Sequence, residues 1–233
     1  KGVGAPGQWR LDACAGRGGS GGIGTWLTWN FKAVPAAESK IEEQLPLHSQ
    51  TPLAWGRAAL ADPVALLNDH VFLEQKAANN AMELMTRWPG DWLDGWVDTM
   101  TSIARDEAAH LAQAHRLLKR RGGRLERIHK NPYANALRLL VRKGDAGEIV
   151  DRLFVSALIE LRSCERFAVL AAAAEEMDPE LAAFYKALYV SERGHYRVFL
   201  KLANKVGKKK EVEARWQEML AAEAKILAAQ PPG

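Results

Sequence analysis

Four stretches of the chain repeat apolar or small residues at alternating spacings of four and three, the period that turns one stripe of an α-helix toward a bundle core. The first stripe is Leu67, Val71, Glu74, Ala78, Ala81, Met85, and the second is Trp96, Met100, Ile103, Glu107, His110, Ala114, Leu117. The third is Ile149, Leu153, Ser156, Glu160, Ser163, Phe167, Leu170, and the fourth is Leu181, Tyr185, Leu188, Glu192, His195, Phe199, Leu202. Start and stop signals bound these runs. Asp62-Pro63 opens a helix over 63–87, which ends before Pro89 because the proline ring disfavours helical geometry at the residue ahead of it. The second helix is predicted over 91–121 and stops at Gly122-Gly123, the third over 146–176, and the fourth from Asp178-Pro179 to Val206. Shorter helices are expected over 53–60, over 132–142 behind Asn131-Pro132, and over 209–228. No stretch has the alternation of a strand. The predicted fold is therefore all-α, a four-helix bundle with a crossover connection between its second and third long helices and extra flanking helices.

Each stripe places a glutamate where a core wants an apolar side chain. A buried carboxylate without a partner costs several kcal/mol, so four that converge must be protonated or bound to cations. Two divalent ions would balance the charge. Glu74 lies 33 residues before Glu107 and 36 before His110, while Glu160 lies 32 before Glu192 and 35 before His195, so the two halves repeat each other. One Glu from each of two helices and Glu-x-x-His from each of the other two is the known ligand pattern of ferritin-like di-iron and di-manganese bundles, matched here to the template. Oxygen-rich ligation with two imidazoles suits iron or manganese better than zinc, and oxygen chemistry favours iron. The candidate metal and catalytic residues are thus Glu74, Glu107, His110, Glu160, Glu192 and His195.

Taken singly, each glutamate would also suit a surface ion pair, and each histidine a satisfied core position. It is the six in this order and facing that point to metal. Glu165 competes with Glu160 but falls off the stripe, and a third Glu-x-x-His, Glu126 to His129, sits in a basic loop and reads as accidental. Small residues at Ala78, Ala81, Ser156 and Ser163 either leave room for oxygen and substrate or let helices pack closely.

The composition, 48% apolar and 26% charged, is that of a soluble globular chain. Cys14 and Cys164 stand too far apart in sequence to suggest a four-cysteine iron site, and no apolar run reaches a membrane span, so a reducing cytoplasm is the expected location. Nine glycines among the first 24 residues break any period. Residues 1–46 are expected to form a flexible extension and 47–229 the helical domain. The dinucleotide-like glycine pattern at 16–21 has no strand before it and carries no weight.

A net charge of +4 gains meaning from its clustering. Lys119, Arg120, Arg121, Arg124, Arg127 and Lys130 gather between the second and third long helices, and Arg193, Arg197, Lys201 and Lys205 recur every four residues along the fourth. Such groups suit phosphates and are the candidate nucleic-acid contacts, although a solvated basic surface would look the same.

Several segments resemble a known family: Asp69-His70-Val71-Phe72-Leu73-Glu74-Gln75-Lys76-Ala77-Ala78, Arg105-Asp106-Glu107-Ala108-Ala109-His110, Lys130-Asn131-Pro132-Tyr133, Leu158-Ile159-Glu160-Leu161-Arg162-Ser163-Cys164-Glu165-Arg166-Phe167 and Ser191-Glu192-Arg193-Gly194-His195-Tyr196. Over about residues 47–206 the chain is similar to the bacterial tRNA 2-methylthio-N6-isopentenyladenosine hydroxylases, a ferritin-like di-iron group. The resemblance implies oxygen-dependent hydroxylation of the isopentenyl group on an adenosine beside the tRNA anticodon. It also implies two iron ions as cofactor, molecular oxygen as co-substrate and electrons from a separate reductase. On this reading Glu74, Glu107 and His110 hold one iron and Glu160, Glu192 and His195 the other, with glutamates bridging. Two other readings stay open on the residues alone: a ferritin-like oxidase or peroxidase acting on a small substrate, and a metal-free helical RNA-binding scaffold whose glutamates are protonated or paired.

Overall fold

The computed structural model describes residues 45–87, 89, 93–144 and 147–230, so the expected extension over 1–46, its glycine pattern and Cys14 lie almost wholly outside the described residues. The described residues form seven α-helices: α1 (Leu53–Leu60), α2 (Pro63–Met85), α3 (Trp96–Arg120), α4 (Pro132–Arg138), α5 (Glu148–Ala174), α6 (Pro179–Val206) and α7 (Lys209–Ala228). Three of them start as the sequence predicts. The side chains of Asp62, Asn131 and Asp178 accept from the backbone N–H of Ala65, Ala134 and Leu181, each ahead of a proline that needs no such partner.

Two boundaries differ from the sequence reading. The second long helix begins at Trp96 rather than 91, because Gly95 adopts φ 77°, a left-handed turn that interrupts any helix running through it. The short helix α4 ends at Arg138 rather than 142. There Arg142 turns back so that its backbone N–H and its guanidinium both donate to fully buried Asp151, at 3.0 and 2.9 Å.

Helices α2 and α3 form one antiparallel pair and α5 and α6 another. Trp96 Nε1 donates to the Leu84 carbonyl at 3.0 Å in the first, and Cys164 Sγ reaches the Tyr189 carbonyl at 3.7 Å in the second. Asn80 Nδ2 donates to Ser156 Oγ at 2.8 Å and ties the pairs together. The four stripes face inward, with Leu67, Met100, Leu153 and Tyr185 wholly buried.

Flanking helices close the sides. α1 lies so near α5 that a Cβ on Gly56 would stand 2.9 Å from Val169 Cγ1. α7 is pinned to α5 by a buried ion pair in which Arg162 donates to Glu223 at 2.9 and 3.0 Å, and Tyr133 of α4 donates to the same carboxylate at 2.9 Å. No helix among the described residues is long and apolar enough to cross a membrane.

Candidate metal centre

The local reason for the centre is simple. In each long helix the 4,3 stripe that buries apolar side chains toward its ends also buries a carboxylate. Glu74 (α2), Glu107 and His110 (α3), Glu160 (α5), and Glu192 and His195 (α6) are between 1 and 8% exposed. The structure brings all six together. They fall into two overlapping groups, Glu74, Glu107, His110, Glu192 and Glu107, Glu160, Glu192, His195, each offering ligand atoms within 4.8 Å of one another. That span fits around one six-coordinate ion with bonds of a little over ~2 Å. Glu107 and Glu192 belong to both groups, so they stand between the two positions.

The imidazoles face the carboxylates through Nδ1. His110 Nδ1 lies 3.1 Å from Glu192 Oε1 and 3.6 Å from an oxygen of both Glu74 and Glu107. His195 Nδ1 lies 2.7 Å from Glu107 Oε1 and 3.0 Å from Glu192 Oε2. Several of these approaches are close without being aligned as hydrogen bonds, and Glu107 Oε1, His110 Nδ1 and Glu192 Oε1 are buried with no hydrogen-bond partner. Donor atoms that converge on a shared point rather than on each other are what a cation requires, so the residues fit a pair of metal ions.

The electrostatics agree. Burial opposes charge on His110, yet the nearby carboxylates of Glu107, Glu192 and Glu74 push its pKa up to about 12; burial opposes it on His195, yet Glu107 and Glu192 push that one up to about 10. Burial drives Glu160 well above the usual carboxylate range, and repulsion from Glu107 and Glu192 adds to it. The negative potential that pulls protons into this core pulls divalent cations by the same attraction, and metal binding would displace the imidazole protons.

Two supporting residues escaped the sequence reading as ligand-holders. His70, 2% exposed, places Nε2 2.6 Å from Glu74 Oε1 and packs against both Phe167 and Tyr185, with ring centroids 5.1 and 5.6 Å away. Asp106 sets Oδ2 3.7 Å from His195 Nε2, the nitrogen turned away from the carboxylates. The signals were a histidine one helical turn before Glu74 and an acid next to Glu107, patterns too common to single out. Because such outer partners orient ligands, His70→Ala is expected to weaken metal binding by about 10- to 100-fold. Chelator competition measures this, and an unchanged affinity would exclude the role.

The other candidates separate. Glu165 accepts from the backbone and hydroxyl of Thr51 and from Arg162, away from the cluster. His129, from the third Glu-x-x-His, also stays out: it bonds Lys76 and Asp69 and stacks on Phe72. Ser156 and Ser163 line a cavity of about 820 Å³ that also reaches Glu74, Glu107, Glu160 and Glu192. Ala81 is instead packed in the apolar core, so at that position the small side chain serves helix contact.

Of the basic candidates, Arg120 and Arg121 are engaged by Glu180, and Arg121 also by Asp178 at 2.7 Å. Separation in sequence hid these partners, which arrive from the start of α6 and its cap. Lys119, Arg124, Arg127, Lys130, Arg197, Lys201 and Lys205 are exposed, and Arg193 is half-buried with its guanidinium 5.8 Å from the Tyr189 ring. Lys130 also lines the cavity, together with Lys76 and Arg138, which the sequence reading did not select.

Comparison with known proteins bears on the assignment. The chain is 42% identical over 177 residues to the tRNA 2-(methylsulfanyl)-N(6)-isopentenyladenosine(37) hydroxylase of Pseudomonas putida, covering 76% of this chain and 84% of that protein. It is 28% identical over 229 residues to the Salmonella typhimurium protein of the same name, covering 78% and 83%. Among solved structures, protein 43 with aldehyde deformylating oxygenase activity from Synechococcus superposes with a TM-score of 0.74 at 32% identity, covering 80% of this chain and 91% of that one. The fold is ferritin-like. A family model described as tRNA-(MS[2]IO[6]A)-hydroxylase (MiaE) matches residues 39–232, nearly the whole described chain, and the protein belongs to that family.

Proposed function

We propose that this protein is a non-haem di-iron monooxygenase that hydroxylates the isopentenyl group of a hypermodified adenosine next to the tRNA anticodon. The observation that carries the reading is the cavity. Its lining joins the carboxylates of the cluster, the apolar Leu73, Ala77, Ile159 and Phe167, and three basic residues, half-buried Lys76 and exposed Lys130 and Arg138. An apolar five-carbon arm suits the inner wall, and a polyanion suits the rim.

Glu74 and His110 would hold one ion and Glu160 and His195 the other, with Glu107 and Glu192 shared. Two reduced iron ions so held supply the oxygen activation that an allylic C–H bond demands. The chain's own residues do the rest. His70 orients Glu74, Asp106 faces the outer nitrogen of His195, and the apolar wall excludes water while it holds the arm. The electrons would come from a separate reductase, and tRNA as substrate places the work in the cytoplasm.

The test is mass spectrometry of tRNA nucleosides before and after treatment with iron-loaded protein, oxygen and a reductant. A hydroxylated prenyl-adenosine is expected. Unaltered nucleosides together with rapid iron oxidation would instead favour a ferritin-like oxidase.

A further inference from the structure

Arg166 is the residue of the cavity wall that the site described so far leaves unexplained. It lies on α5, six residues beyond Glu160 and so about 9 Å farther along the helix axis. Its guanidinium carbon sits 5.0 Å from the Trp55 ring centroid and 6.0 Å from that of Tyr133, and all three residues line the cavity. Its Nε is buried with no hydrogen-bond partner.

One turn earlier, Arg162 shows how this fold satisfies an arginine. That guanidinium donates to Glu223, Glu165 and Ser49. Glu165 is the neighbour of Arg166 in sequence, but its oxygens are taken by Thr51 and Arg162. Burial pulls the Arg166 guanidinium below its ordinary value, yet an arginine remains charged at neutral pH. A charged, planar donor is therefore held among aromatic rings in the cavity wall, with its Nε bonded to no acid although Asp69 and Glu165 are near enough to act on its charge. Buried donors are rarely left in this state unless something outside the chain completes them.

We propose that Arg166 is the nucleotide anchor, donating to an acceptor of the incoming nucleotide, a ring nitrogen or a phosphate oxygen, while Trp55 and Tyr133 flank that contact. The proposal rests on the tRNA reading above. With the prenyl arm at the carboxylates, the attached base must lie outward of them, at the level of the wall these three residues form. Aromatic faces and a guanidinium plane are the groups that receive an unstacked base, and a guanidinium fork also matches phosphate.

The experiment uses iron-loaded full-length protein and tRNA carrying the prenylated adenosine, with Arg166→Gln and Arg166→Lys compared to wild type. For Arg166→Gln the KM for tRNA is expected to rise about 10- to 100-fold, with kcat at saturation little changed. Arg166→Lys is expected to recover part of the loss, and neither substitution is expected to lower Tm. A salt slope of log KM that shrinks by about one in Arg166→Gln identifies a phosphate acceptor, and an unchanged slope identifies the base. An unchanged KM, or a fall in Tm that parallels the KM change, would overturn the anchor. If the wild-type protein hydroxylates no prenylated tRNA, the functional reading fails first and the anchor with it. If wild type is active and the variants behave like it, the anchor alone is wrong.

Discussion

Glu107→Ala is expected to purify with less than half the iron of the wild-type protein and to lose tRNA hydroxylation by about 10³-fold or more, several kcal/mol of barrier. The size of the effect follows from position. Glu107 belongs to both ligand groups, with Oε1 2.7 Å from His195 Nδ1 and Oε2 3.6 Å from His110 Nδ1. Removing it would take a donor from both candidate ion positions at once, whereas removing Glu74 would take one from a single position. The fold should survive, because one of four mutually repelling buried carboxylates disappears and the rest of the stripe is apolar. Iron analysis, circular dichroism and nucleoside mass spectrometry on the same preparation check all three statements. Full iron content with full activity would remove Glu107 from the centre. Glu165→Ala is the matched control, since that carboxylate lies outside the cluster.

The second large effect concerns stability. Arg162 is 2% exposed and Glu223 0%, and they meet in two parallel hydrogen bonds of 2.9 and 3.0 Å. Cutting Glu223 takes two hydrogen bonds from a buried guanidinium and leaves it only Glu165 and Ser49, and breaking a buried pair in this way costs about 3–5 kcal/mol. At about 2–4 °C per kcal/mol for a domain of this size, Glu223→Ala is expected to lower Tm by roughly 10 °C. Arg162→Met combined with Glu223→Leu should return most of that loss, because the apolar pair leaves no charge stranded. Thermal denaturation of the three variants decides it: a single mutant as stable as wild type, or a double mutant worse than either single, contradicts the account. Tyr133 shares the Glu223 carboxylate, so the same break loosens α4 over the cavity.

Much of the bundle is legible in the chain because helix formation is local. Asp62, Asn131 and Asp178 each cap a helix within three residues, and each does so beside a proline. The misplaced boundaries arose where backbone conformation or a distant partner intervened. Gly95 turned left-handed, and Arg142 was drawn to Asp151 rather than along its own helix. The partners of the basic loop stayed hidden for a similar reason. Arg120 and Arg121 look free in sequence, but carboxylates some sixty residues away on α6 occupy them.

By itself, the sequence determined that four helices would each turn a glutamate inward, since a 3.6-residue period assigns a face to every position regardless of what lies opposite. Only the tertiary structure decided that Glu107 and Glu192 belong to both candidate ligand groups, that His70 and Asp106 lie behind Glu74 and His195, and that Arg166 lines the cavity with its Nε unbonded. The physical reason is distance. A spacing along one helix fixes direction, whereas sharing a ligand or lacking a partner depends on which side chains neighbouring helices bring within a few ångströms.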